Sequence, residues 1–276
     1  LKSTMTAKQS HATSENPNNL KLVEVATYQR RIRASQERVW ENVMDWEHLP
    51  HLHDSNFQYA ELDEAGDWGW RIWSAQDRHS HVELCYDLPK NRYVARSYQG
   101  KNQVSEIWTL VTPVLDETDI EVRFLVPDVT KDKQLSVGKF FRDLYSTLWD
   151  EDEAMMIERQ VRLDSQSIRH PLEIDLGFED EVMSTLPLYV ELKSGRYRII
   201  SVDGQLKAHS TICPHILGPL DSEVIDNKLT CPWHGYQFDI NSGECVLPAN
   251  ATCRLSKAPK ITISDHNRPR IKVGFN

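Results

Sequence analysis

Apolar and polar residues alternate along this chain in two rhythms, and the changes of rhythm mark its parts. Residues 1–20 are polar, carry no apolar run, and read as a flexible tail. Strand-like alternation starts near Val23 and runs through Tyr28 to Ala34. Ser35 is a favourable N-cap with Glu37 and Arg38 in the turn after it, and Val39, Trp40, Val43 and Met44 share one helical face. A second short helix or turn is expected over Trp46–His53, interrupted by Pro50. Strand-like segments follow at 57–63, 67–74, 79–88, 91–98, 103–113 and 118–126, separated by turn-forming stretches, which predicts an antiparallel meander. From about Leu135 to Leu163 the period lengthens to that of a helix, with Phe140, Phe141, Leu144, Leu148, Met155, Met156 and Ile157 among its apolar members.

Residues 166–185 read as a linker of mixed charge containing Pro171. Beyond it, 187–193, 196–202, 205–209, 260–264 and 270–273 read as strands of a second, all-β region. The expected fold class is α+β, with a tail at 1–20, a first domain at 21–165, the linker at 166–185 and a second domain at 186–276. A length of 276 residues suits two small domains with separate cores. A net charge of −9 without a basic stripe argues against nucleic acid and anionic membrane as partners. No apolar run reaches the ~18 residues of a membrane span. Five cysteines in this length are no disulfide scaffold, and with no export signal the expected compartment is the reducing cytoplasm.

Two of those cysteines carry chemistry. The strings Cys213-Pro-His215-Ile-Leu-Gly218 and Cys231-Pro-Trp233-His234-Gly-Tyr236 form C-x-H, fifteen residues, then C-x-x-H. Cys85, Cys245 and Cys253 have no such neighbours in sequence. Each loop would offer one thiolate and one imidazole. Two thiolates on one iron and two imidazoles on the other make a Rieske [2Fe–2S] centre. A Cys2His2 zinc site is the competing reading, but a zinc finger pairs Cys with Cys and His with His. Gly218 and Gly235 are expected to allow tight turns, and the prolines after each cysteine to stiffen them. The Leu-Gly of the first loop and the His-Gly-x-x-Phe-Asp of the second resemble the Rieske family in detail. In high-potential members of that family each loop has one more cysteine, the two forming a disulfide, and a serine hydroxyl bonds a sulfide. The resemblance puts Gly218 and Trp233 at the cysteine positions and Tyr236 at that of the serine. Fewer hydrogen bonds to sulfur stabilise the reduced cluster less, so the expected potential is at the lower end of the roughly −150 to +300 mV Rieske range.

The first domain's element order (strand, two helices, six strands, long helix) resembles the helix-grip fold of the START/SRPBCC superfamily. There a curved antiparallel sheet wraps a long helix and leaves a cavity. Seven of the eight tryptophans fall in this domain, either as core and turn residues or as the lining of an aromatic pocket. Asp45-Trp-Glu-His48-Leu-Pro-His51-Leu-His53 contains D-x2-H-x4-H. In Rieske oxygenases this motif supplies two histidines of a mononuclear iron site and an Asp that links the site to the cluster. The match implies His48 and His53 as ligands and Asp45 as the bridge. Non-haem Fe(II) takes two imidazoles and one carboxylate on one face. Residues i and i+5 of a regular helix point ~140° apart, and Pro50 is what would let this pair converge. His51 competes, and the motif favours His53. For the third ligand, the family's register selects Glu153 and its residue type selects Asp152; both stay open.

A helix-grip domain with a Rieske cluster is the pairing of Rieske oxygenase α subunits, although those typically place the Rieske domain first. The resemblance implies a Rieske non-haem iron oxygenase. An NAD(P)H-dependent reductase or ferredoxin would feed the cluster, the cluster would feed the mononuclear non-haem Fe(II), and O2 would be activated to oxidise a small hydrophobic or aromatic substrate. Family members form homotrimers with the electron path between neighbouring subunits; the reversed domain order leaves open whether this chain keeps that path or transfers electrons within one chain. One alternative is a Rieske ferredoxin-like electron-transfer protein with a ligand-binding helix-grip domain and no mononuclear iron. Another is a redox-sensing regulator.

Overall fold

A computed structural model describes residues 20–193, 195–264 and 267–275. The expected tail, apart from Leu20, lies outside the described residues. The chain divides into two compact units, 1–156 and 157–276, with the division inside the long helix rather than at the expected residue 165.

The first unit runs β1 (Leu22–Ile32), α1 (Gln36–Met44), α2 (Leu49–Leu52), β2 (Glu61–Gly66), β3 (Gly69–Trp73), β4 (Ser80–Asp87), β5 (Arg92–Gln99), β6 (Asn102–Val114), β7 (Glu117–Pro127) and α3 (Lys131–Ser165). Ser35 caps α1 by accepting from the Arg38 amide at 3.4 Å, a contact worth about 1 kcal/mol. The six later strands form an antiparallel meander, and β1 closes it beside β7, giving the order β1-β7-β6-β5-β4-β3-β2. This is a helix-grip sheet, and α3 packs on it. Phe124 of β7 stacks on Phe141 of α3 at 5.2 Å and meets Tyr145 edge-on at 4.9 Å. Gly138 lets the helix come this close to β1, because a Cβ there would lie 2.3 Å from the Val25 carbonyl oxygen. Phe140, expected on the apolar face, is exposed, while Trp149, Met155 and Met156 are buried. Strand alternation sends the neighbours of the inward residues to the other sheet face. There Arg96 and Glu106 form a buried pair at 2.8 Å, with Gln103 and the Trp108 indole also donating to Glu106.

The second unit contains the end of α3, then β8 (Glu173–Phe178), α4 (Glu179–Ser184), β9 (Leu188–Leu192), β10 (Gly195–Val202), β11 (Gln205–Ser210), β12 (Lys228–Thr230), β13 (Gln237–Asp239), β14 (Cys245–Leu247), β15 (Lys260–Ile263) and β16 (Arg270–Gly274). Its strands form three three-stranded sheets, β11-β10-β9, β12-β13-β14 and β15-β16-β8. The stretch 166–185, expected as a linker, is therefore corrected. β8 pairs with β16, and Val182 of α4 is buried in a core with Leu192, Ile199 and Ile271. The mixed charge that suggested a linker belongs to the strand's outer face, where Asp175 and Glu173 meet Arg270 and Lys272.

Candidate metal centres

The second unit brings its four predicted ligands together on two loops of one design. In the first, the Cys213 amide donates to the Gly218 carbonyl at 2.8 Å and the Leu217 amide donates to the Cys213 carbonyl at 3.0 Å. In the second, the Cys231 amide donates to the Tyr236 carbonyl at 2.8 Å and the Gly235 amide to the Cys231 carbonyl at 2.9 Å. The fifth residue of each loop is left-handed, Leu217 at φ 69° and Gly235 at φ 66°. The turn role expected of Gly218 thus falls to Leu217. Gly218 serves space instead, since a Cβ there would lie 2.6 Å from Cys231 Sγ and 3.0 Å from the Trp233 ring.

Cys213 and Cys231 are buried, and the imidazoles of His215 and His234 lie 4.7 Å apart at 89°. A hydrogen bond from Cys213 pulls the Cys231 thiol down to about 5 against the opposing effect of burial, and Cys213 is pushed up by the same bond. Metal binding takes both sulfurs as thiolates. Two soft thiolates, two imidazoles and a cradle a methyl would fill are a donor set that fits a [2Fe–2S] group. Tyr236 stacks its ring on His215 at 4.2 Å, and the Arg162 guanidinium lies 5.5 Å from the Trp233 ring centroid. Sequence reasoning missed Arg159 and Arg162. From the end of α3 they donate to the carbonyls of Ile216 and Leu217 and so hold the first loop. Basic residues at a helix end carry no signal that names such distant carbonyls.

The first unit brings together His48, His53 and Asp152. All three are buried, and their candidate ligand atoms lie within 4.8 Å of one another. His48 and His53 flank the single turn of α2 as its two end residues, and His53 leaves helical geometry at φ −106°, ψ 36°. That departure is how an i, i+5 pair converges. Asp152 Oδ1 stands 3.0 Å from His53 Nε2 and 3.6 Å from His48 Nε2. His51 is exposed. Glu153 is buried but engaged elsewhere, by the guanidinium of Arg30 and by both the amide and the guanidinium of Arg33. Geometry therefore separates the two carboxylates that the sequence left open, with Asp152 beside the histidines and Glu153 with the arginines. Asp45 caps the C-terminal end of α1, with its carboxylate 3.8 Å from His48 Nδ1.

Two neighbours were not foreseen. Glu151 Oε2 lies 2.6 Å from His53 Nδ1, and the Asn42 amide donates to Asp152 Oδ1 at 3.0 Å. Burial alone would push the Asp152 carboxyl up, but hydrogen bonding and charge from His53, helped by His48 and Asn42, hold it below the usual range. The same carboxylates raise His53 above its ordinary value against burial. The trio borders a cavity of about 190 Å³ lined mainly by apolar groups, including Val43, Leu84, Ile107 and Phe141. Of the seven tryptophans in this unit, Trp70 and Trp149 line it.

Residues 174–259 match the family described as the Rieske [2Fe-2S] domain. The C-terminal unit therefore carries a Rieske [2Fe–2S] domain, and the chain joins it to a helix-grip unit. Among relatives, Protein TIC 55, chloroplastic, of Arabidopsis thaliana is 41% identical over 54 residues, 18% of this chain and 10% of that protein's length. Among solved structures, Zhui aromatase/cyclase from Streptomyces sp. R1128 aligns at 10% identity over 51% of this chain and 96% of its own, with a TM-score of 0.37. Norcoclaurine synthase from Thalictrum flavum aligns at 14% identity over 57% of this chain and 99% of its own, also at 0.37. Among the described residues no helix is long and apolar enough to cross a membrane.

Proposed function

We propose that this chain is a Rieske-type oxygenase. Cys213, His215, Cys231 and His234 hold its [2Fe–2S] cluster, and His48, His53 and Asp152 hold a mononuclear non-haem iron. The observation that carries the proposal is the convergence of two imidazoles and one carboxylate at a buried point on the edge of an apolar cavity. When bound, an iron of this kind supplies O2 activation, with electrons from an NAD(P)H-dependent reductase or ferredoxin arriving through the cluster.

The protein's own residues prepare that site. Glu151, 2.6 Å from His53 Nδ1, would accept the proton of that nitrogen when a metal is bound, leaving Nε2, on the Asp152 side of the ring, as the donor to the metal. Asn42 holds Oδ1 of Asp152 in place. Asp45, beside the other ring nitrogen of His48, serves as the electron bridge to that imidazole. Ser97 and Ser105 give the apolar cavity two hydroxyls that orient a small hydrophobic or aromatic substrate.

The test is an iron count. The oxygenase reading expects three iron and two sulfide per chain, and His48→Ala should remove one iron while leaving the Rieske spectrum intact. One observation favours a second reading, an electron-transfer protein with a ligand cavity. Asp152 Oδ1 is contacted by both His53 and Asn42, which by themselves satisfy a buried carboxylate. That reading expects two iron per chain even after anaerobic Fe(II) loading.

A further inference from the structure

The cysteines without metal-ligand spacing include two that the fold brings together. Cys245 opens β14 and Cys253 lies eight residues on, beyond the turn closed by the Ala251 amide on the Pro248 carbonyl at 3.0 Å. The returning chain pairs with the outgoing one through an antiparallel bridge between Glu244 and Arg254, and the Leu255 amide donates to the Gly243 carbonyl at 2.8 Å. In this register Cys245 is opposite Cys253. Directly opposed residues of antiparallel chains have Cα atoms about 4.5–5.5 Å apart and side chains on the same face. A disulfide spans about 4.4–6.8 Å between Cα atoms. The Cys245 thiol donates to the Leu247 carbonyl at 3.1 Å and is close enough to Cys253 to raise the pKa of that thiol. Both side chains are partly exposed, so a small oxidant reaches them. Cys85 is the internal contrast in access: it is fully buried, with its thiol pushed up to about 11, whereas Cys253, whose thiol is also raised by burial and by Cys245, is partly exposed.

We infer that Cys245 and Cys253 form a second redox site in the C-terminal unit, a dithiol that hydrogen peroxide oxidises reversibly to a disulfide. One thiolate attacks the peroxide, forming an S–O bond and breaking O–O. The departing hydroxide takes up a proton and leaves as water. The second thiol, losing its proton, attacks the sulfenic sulfur, forming S–S and breaking S–O, and a second water leaves. Two thiols are oxidised by two electrons and one peroxide is reduced. A dithiol reductant reverses the change by exchange. The site uses none of the metal ligands, although Cys253 lies close enough to Cys213 for its charge to act on that thiol.

The sequence provides a clean readout. Cleavage after Glu244 and Arg254 releases residues 245–254, which contain both cysteines and exclude Cys231. The purified 276-residue chain, reduced and freed of reductant under nitrogen, is treated with one equivalent of hydrogen peroxide, alkylated, and digested with trypsin and a Glu-specific protease. The expected fragment is unalkylated and two hydrogens lighter than the dithiol, and dithiothreitol returns it to the doubly alkylated form. Cys245→Ser and Cys253→Ser should each abolish the two-hydrogen loss and leave a sulfenic acid that dimedone traps. Cys85 should react at least tenfold more slowly. A wild-type fragment that stays doubly alkylated, carries independent sulfinic acids, or crosslinks two copies of the chain overturns the inference.

Discussion

Gly218→Ala tests whether the cluster loops are held by space or by turn conformation. Gly218 is not in the left-handed region, so alanine costs nothing in backbone strain there. Its Cβ would nevertheless sit 2.6 Å from Cys231 Sγ and 3.0 Å from Trp233. Ordinary carbon contacts lie near 3.5–4.0 Å, so something must yield by about 1 Å. Cys231 is fixed by the hydrogen bonds that close its loop, and Trp233 by the guanidinium of Arg162. The loop carrying Gly218 must therefore move, which strains the Cys213 amide bond to the Gly218 carbonyl. Overpacking of this kind costs about 1–3 kcal/mol, and because it presses on a ligand sulfur it should also lower cluster occupancy. The assay is thermal unfolding together with the Rieske electron paramagnetic signal per chain. Leu217→Gly is the matched control. It relieves a left-handed residue at φ 69° and should stabilise the loop by up to about 1 kcal/mol. If Gly218→Ala leaves both stability and signal unchanged, the close approach to Cys231 is not what the glycine is for.

Other substitutions separate the two carboxylates and test the packing. Asp152→Ala should lose the mononuclear iron and keep the Rieske signal. Glu153→Ala should keep both but lower stability by about 1–3 kcal/mol, because it removes the partner of Arg30 and Arg33; equal iron loss in the two variants would refute the assignment. Glu106→Ala strips the carboxylate from a buried charged pair and should cost about 3–5 kcal/mol in denaturant unfolding, with no effect on iron content. Gly138→Ala should loosen α3 from β1, since the new Cβ meets the Val25 carbonyl, and a destabilisation of about 1–3 kcal/mol is the measure.

The elements of the first unit were legible because strand and helix periods are local, and short polar turns between strands leave an antiparallel meander as the economical arrangement. The stretch 166–185 was misread for a related reason. β8 is an outer strand whose exposed charges resemble a linker, and only its pairing with β16 reveals it. Phe140 kept the helical period yet is exposed, because periodicity does not say which part of a 35-residue helix is covered.

At the metal centres the division is sharper. The sequence by itself determined the cluster motif, since thiolate and imidazole lie within three residues of each other in each loop. It also offered His48 and His53 as candidate ligands, with a carboxylate at one of two adjacent positions. Which of Asp152 and Glu153 lies beside the histidines depends on which way a helix faces residues about a hundred positions away, so only the tertiary structure shows it. The same holds for Glu151 beside His53, for Arg159 and Arg162 on the first loop, and for Cys245 opposite Cys253. Each is a contact fixed by chain crossing or strand register rather than by local spacing, and local spacing is all that a sequence pattern records.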